Sequence, residues 1–488
     1  MRFKKLFLVP ALAALLMTSC GSDPAAGKSK IRFWGWGDKV EIEVFKNLVR
    51  NYNATNTDGI YVEYDVRPSS GYVDTMDKLL NQSKAPEIFY VGDGDIKRWA
   101  TYGYLEDITP YVNNSEIIDL DDIWEEGVNR YRYDVATKTS TESAPLYCLP
   151  KDIGPTVIYY NVDAFKAVGI EIISKPANEC SEEERHGFYK NSENKLVFNN
   201  RISMTTEEEV ALAKELTQSY NSNSITKYGY YTEWWFNYVW SVGGDCLSRD
   251  PDGTLHWTLG DETQNGTTEN PLPSNRQMFQ HFIDLSDSLS PNALKIMPNP
   301  SRLSSDKKLF AFKNGEIAML VGLRAHVPEL RKSCTFDWDV APLSHYEGGK
   351  LAGHSGSMGF GISSKASQDK KNAAFKFMEY LAGPEGQRAT ALSGFNLPNQ
   401  KSIARTEDFL QTNLKPKNSI VFVEAAEYQT EGDWAYLKDN KWIDDWARDL
   451  NGPVLDGTMS LQDFFNKWQG PTDAFLNDPE NGYRQQNL

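Results

Sequence analysis

The chain has 488 residues, of which 40% are hydrophobic and 24% charged, and its formal net charge is −16. This is a globular composition, long enough for two or three domains. The acidic balance excludes nucleic acid as the partner, because displacing counterions from phosphates takes clustered Lys and Arg.

The first element is the stretch MRFKKLFLVPALAALLMTSCGSD. A basic start (Arg2, Lys4, Lys5) precedes an apolar run from Leu6 to Met17 that is too short to span a bilayer. Residues 1–19 read as a signal peptide. Cys20, directly after the run, resembles the lipidated cysteine of bacterial lipoproteins, although Ser stands before it where Ala or Gly is commoner. The alternative is an ordinary secretory peptide with an incidental Cys. Residues 20–29 are small and polar, a tether. No later run approaches a membrane-spanning length. The expected mature form is a soluble body on a lipid leash outside the cytoplasmic membrane.

KIRFWGWG then reads as a strand ending in Gly and Trp. DKVEIEVFKNLVRNYNATN carries Val40, Val44, Phe45, Leu48, Val49 and Tyr52 at helical spacing. IYVEYDV alternates as a half-buried strand, YVDTMDKLLNQ is helical, and PEIFYVGDGD is a strand running into an acidic loop. This alternation predicts an α/β layer with a largely parallel sheet. Ligands of such sheets sit beyond the carboxyl ends of the strands, where Trp36, Asp93 and Asp95 fall. In LPKDIGPTVIYYNVDAFKAVGI two charges, Lys151 and Asp152, stand at the mouth of a strand dense in Val, Ile and Tyr.

Residues 171–203 are polar and turn-rich, a surface insertion with hairpin character. Helical spacing resumes in TTEEEVALAKELTQSY, with Thr206 as N-cap and Glu209 three residues on. YGYYTEWWFNYVWSVGGD is crowded with aromatics. On a helix starting near Glu233, Trp234 and Tyr238 share one face and Phe236 and Trp240 another. Such rings either fill a core on two sides or line a cleft, where they would stack on sugar C–H faces while carboxylates and amides take the hydroxyls. DPDG reads as a turn, since the other ligands of a calcium loop are missing.

No GxSxG, Walker loop or strand-linked GxGxxG is present, and the six His form no metal motif with Cys. Neither a metal nor a cofactor is expected. Cys148, Cys180, Cys246 and Cys334 are irregularly spaced and give no disulfide framework, so at most one bridge is expected. The carboxylates Asp93 and Asp152 are the available pair for glycoside hydrolysis.

The segments APEIFYVGDGDIKRWATYGYLEDITPYV, LYCLPKDIGPTVIYYNVDAFKAVGI, YVWSVGGD, FKNGEIAMLVGL with DWDVAPL, and SMGFGISSKASQDKKNAAFKFMEYLAGPEGQ follow one another in an order that resembles the family 1 extracellular solute-binding proteins. These are maltose- and oligosaccharide-binding lipoproteins of ATP-binding cassette importers. The resemblance runs from about Lys30 to Asn399 and more loosely to the end. It implies a two-lobed α/β fold of the periplasmic-binding-protein type, hinged, with about three chain crossings. Lobe one would be 30–150 with 357–399, and lobe two 151–356 with 400–488.

By the same resemblance the ligand lies between the lobes. Trp36, Asp93, Asp152, Trp234, Trp235, Asp245, Arg324, His354, Ser357 and Trp434 are the matching ligand-binding positions, with Trp442 a rival to Trp434. Asp152 has a second reading, a hinge salt bridge to Lys151 or Arg324. Arg324 stands where the family often has an aromatic, and the 171–203 insertion replaces a short connection, so neither transfers a sugar preference. The implied function is capture of a carbohydrate without chemistry. A monomer would deliver it to permease subunits. The alternatives are a glycan-degrading lipoprotein using Asp93 and Asp152, or a binder of a polyamine or sugar phosphate.

Overall fold

The computed structural model describes residues 24–303, 305–356, 358–432, 437, 441–481 and 483. Cys20, Ser357 and Trp434 lie outside them.

Two sheets organise the chain, each with its own core. In the first, β1 (Ser29–Gly35) is central between β2 (Ile60–Val66) and β3 (Ile88–Gly92), all parallel. Ile31 and Phe33 alternate inward and are fully buried, and Phe33 stacks on Tyr64 opposite it at 4.8 Å. The connecting helix Lys39–Thr55 is capped by Asp38, whose carboxylate accepts from Glu41 N, and it buries Phe45, Leu48, Val49 and Tyr52. The strand Met358–Ile362 then runs antiparallel to β3, and β4 (Cys148–Pro150) closes the edge. Gly35 is required here, because a Cβ would come within 2.8 Å of the Tyr90 ring.

The second sheet is built on β5 (Gly154–Asn161), buried along its whole length. It lies between the antiparallel strands Trp338–Ala341 and Ile317–Leu323, and the latter pairs in parallel with Tyr228–Tyr231. Ser355–Gly356 adds to the start of β5. The chain passes between sheets at 151–153, again between Gly356 and Met358, and around 394–399, where Ile153 bridges to Leu397. The helix Gln368–Ala382 packs into the first core, whereas Ala391 and Leu397 pack into the second.

The insertion is a small sheet of its own: Phe188–Lys190 and Leu196–Asn199 form a hairpin, and Glu171–Ile173 adds in parallel. DPDG is the turn of the hairpin Leu247–Arg249 and Leu255–Trp257. Two local expectations are corrected. The N-cap of Thr206–Glu215 is Thr205, boxed with Glu208, because Thr205 already has extended backbone and its hydroxyl accepts from Glu208 N at 3.1 Å. The aromatic helix is Phe236–Ser241, so Trp234 and Trp235 precede it in a turn where the Thr232 hydroxyl accepts from Trp234 N. All four described cysteines are free. No helix among the described residues is long and apolar enough to cross a membrane.

Candidate functional site

The carboxyl ends of β1 and β3 face the start of β5 and the end of Ile317–Leu323 across a cavity of about 390 Å³. Trp36 and Asp93 reach it from the first sheet, Asp152 from the first crossing, and His354 from the strand beside β5. Glu41, Tyr90, Lys151 and Asn396 add to its polar lining. Four of the positions named from sequence thus meet in one place.

At the floor, Lys151 is buried between two carboxylates. Its Nζ lies 2.7 Å from Glu41 Oε1 and also bonds Asp152 Oδ2. Asp152 Oδ2 accepts a second bond, from Asn396 Nδ2 at 2.6 Å. Burial alone would discharge the lysine, but the charges of Asp152 and Glu41 outweigh it and hold its pKa above the usual lysine value. Burial likewise raises the Glu41 pKa, with Lys151 opposing. The charges before β5 are therefore ion-paired with each other and with Glu41 at the crossing, which accounts for their standing at the mouth of a buried strand.

A second buried cation stands beside Asp93. Arg130 is 1% exposed, with Nε 2.6 Å from Glu431 Oε1 and Nη1 3.7 Å from Asp93 Oδ2. Both Glu431 oxygens lack an aligned hydrogen bond, so the short approach is an ion pair rather than a directed bond. Arg130 Nη1 also donates to Ser355 O, and Nη2 to Gln429 Oε1. One side chain next to the first core thereby ties down both the strand beside β5 and the segment around 429–431. Burial lowers the pKa of nearby Lys97 to about 8, with Glu431 and Asp93 pulling the other way.

The aromatic side of the site is composite. Trp36 meets Tyr90 edge-on at 6.3 Å. Opposite, Trp234 lies 5.8 Å from the His354 ring and under Lys308 Nζ at 4.5 Å, while Lys308 is ion-paired to Glu233. Burial lowers the His354 pKa to about 4, so the ring is neutral at pH 7. Its backbone is fixed by Asn237 Oδ1, which accepts from His354 N, and by Thr156, which donates to His354 O. Trp235 packs instead on Phe236 and Phe279.

Two further positions are placed elsewhere. Arg324 is fully buried in the second core, stacked between Phe409 and Phe422 at 4.6 and 4.9 Å and donating to Gly394 O. Its neighbours Leu323 and Ala325 line the cavity instead. Asp245 folds onto its own turn, accepting from Cys246 N at 2.6 Å and from the Trp240 indole. Trp442 is buried against Trp446. Glu41, Arg130, Asn396 and Glu431 were not foreseen. Glu41 left a trace, a carboxylate one turn before Phe45 on the apolar stripe of its helix. Among the described residues no group of His, Cys, Asp and Glu is arranged to hold a metal.

A model of the family described as bacterial extracellular solute-binding protein matches residues 47–416. The chain belongs to this family of solute-binding proteins. Its members are extracellular binding proteins, which accords with two lobes around a cavity. Similar solved structures include an ABC substrate-binding protein from Listeria monocytogenes in complex with cycloalternan, 19% identical, covering 92% of this chain and 99% of that one, TM-score 0.68. The sugar-binding protein MalE from Xanthomonas citri is 18% identical over 93% and 98% of the two chains, TM-score 0.67. The GacH receptor of Streptomyces glaucescens, solved unliganded and with acarbose, is 16% identical over 92% and 99%, TM-score 0.67. At these identities the likeness establishes the two-lobed fold of this solute-binding protein. No curated protein matches the sequence.

Proposed function

We propose that this solute-binding protein captures an uncharged carbohydrate between its lobes and hands it to the permease of an ABC importer. The observation that carries the reading is the cavity itself. Trp36 from one lobe and His354 backed by Trp234 from the other offer ring faces, while Asp93 and Asn396 offer hydrogen-bonding groups for hydroxyls. The cations around it are already committed: Lys151 to Glu41 and Asp152, Arg130 to Glu431, Lys308 to Glu233. A sugar phosphate would find no uncommitted cation among these three, and Arg324 faces the core. The glycosidase alternative loses support because Asp152 Oδ2 is held by both Lys151 and Asn396. The family's extracellular location and the solved sugar-bound relatives support the same reading.

The lobes are taken as 30–150 with 357–399 and 151–356 with 400–488. The ligand would favour a closed arrangement of the two, since only differential affinity can shift that balance. Cys20 would carry the lipid that keeps the protein, as a monomer, at the outer face of the cytoplasmic membrane. Calorimetric titration with a panel of mono- and oligosaccharides tests this, with chromatography of the recovered sugar. Saturable binding with the sugar intact supports capture. Consumption of the sugar would establish hydrolysis instead, and silence across the panel would remove the carbohydrate.

A further inference from the structure

Arg130 and Glu431 are paired, yet they belong to different cores. Arg130 stands between Val128 and Tyr131, and Lys97 between Ile96 and Trp99, all four packed into the first core. Glu431 follows Ala425 and Ala426, which pack into the second. Its carboxylate is nevertheless in the field of both cations. Burial raises the Glu431 pKa, and the charges of Arg130 and Lys97 oppose it. The side chains of Arg130 and Glu431 are 1% and 7% exposed, so they meet out of water.

An ion pair within one lobe holds only that lobe together, whereas this one spans two. The segment carrying Glu431 is fastened to the second sheet, since Thr430 N donates to Gly353 O at 2.9 Å, just before the strand Ser355–Gly356. Arg130 is anchored on the other side, where its Nε is 3.3 Å from Glu126 O of its own helical turn. A second carboxylate waits on that side. Asp93, at the end of β3 and in the lining of the cleft, has its Oδ2 3.7 Å from Arg130 Nη1. The arginine thus has a near partner from across the cleft and a farther one from its own lobe.

We propose that Arg130 is a latch between the lobes, and that it exchanges Glu431 for Asp93 when they part. Opening draws a carboxylate away from two buried cations, a loss that resists opening. Asp93 offsets part of the loss by taking over the guanidinium. A solute that engages Asp93 removes this alternative partner, so capture and closure favour each other. The inference rests on the capture reading, because it needs lobes that open and close around a solute at Asp93.

Small-angle X-ray scattering of the purified protein, without any solute, is the test. Two lobes of radius of gyration about 17 Å give about 23 Å together, and moving their centres about 4 Å further apart adds about 1 Å. Glu431→Gln is expected to raise the radius of gyration by about 1 Å with an unchanged circular dichroism spectrum. Asp93→Asn takes a carboxylate from beside the same arginine but leaves the link across the cleft, and no rise is expected. Should Glu431→Gln not fold, Glu431→Asp takes its place, keeping the charge on a shorter arm, with a smaller rise expected. The proposal is overturned if the Glu431 variant scatters like the parent, or if Asp93→Asn expands the protein as much. Neither measurement involves a sugar, so a failure of carbohydrate to bind would leave this result standing.

Discussion

Replacing Lys151 by Met keeps the length of the side chain and removes the one cation between Glu41 and Asp152. The side chains of Lys151, Glu41 and Asp152 are 5%, 6% and 3% exposed, so water cannot take over the lost charge. Breaking a buried pair from one side costs about 3–5 kcal/mol. Unfolding entropy near 2 cal/mol/K per residue gives roughly 0.35 kcal/mol/K for a lobe and roughly 1 kcal/mol/K for the whole chain. The melting temperature should therefore fall by about 10 °C if lobe one melts alone, or by about 4 °C if both lobes melt together. Scanning calorimetry reads both the shift and the number of transitions. The sign with pH is fixed as well. Glu41 is already raised by burial, and without Lys151 it is raised further, a penalty complete above its folded pKa and absent below its unfolded one. Acidification also leaves the parent with a buried lysine beside a protonated Glu41. The gap between variant and parent should shrink from pH 7 towards pH 4. An unchanged melting temperature, or a gap indifferent to pH, would refute the account of the floor.

Gly154→Ala should disrupt the crossing, because the new Cβ would sit 2.6 Å from Gly356 O on the paired strand; a cost of about 1–3 kcal/mol is expected in urea unfolding. Thr205→Ala removes the capping hydroxyl of Thr206–Glu215 and should cost about 1 kcal/mol in the same assay, with sugar binding untouched. Trp36→Ala should weaken carbohydrate binding about tenfold at an unchanged melting temperature. Trp442→Ala should do the reverse, lowering the melting temperature while leaving affinity alone, since its ring is buried against Trp446. The pair of results in one calorimeter separates a cavity ring from a core ring.

Local pattern made the first sheet readable. Alternation in β1 and β2 and the apolar stripe of Lys39–Thr55 are properties of neighbouring residues, and the carboxyl ends of β1 and β3 place Trp36 and Asp93 at the cavity mouth. Arg324 was legible as a charge after a strand but not as a core residue. What holds it, Phe409, Phe422 and Gly394, comes from far along the chain. Arg130 was opaque for the same reason, since its acceptors Ser355, Gln429 and Glu431 are some 225 to 300 residues on. The start of the aromatic helix was misjudged because one hydroxyl, on Thr232, sets the turn before it.

The distribution of indoles has an optical consequence. Trp99, Trp124, Trp240, Trp257, Trp338, Trp442 and Trp446 are all buried, and Trp257 and Trp446 stack at 5.0 Å. Their emission should be blue-shifted, strong in total and blind to events in the cleft. Trp36 and Trp234, at or beside the cavity, are the indoles placed to report an occupant. A bound solute would then appear as a small change on a large constant background, concentrated at the red edge of the spectrum. Iodide would quench Trp36 and Trp234 together with the half-exposed Trp34, Trp235 and Trp468, and the part of that quenching a ligand removes would report the cleft.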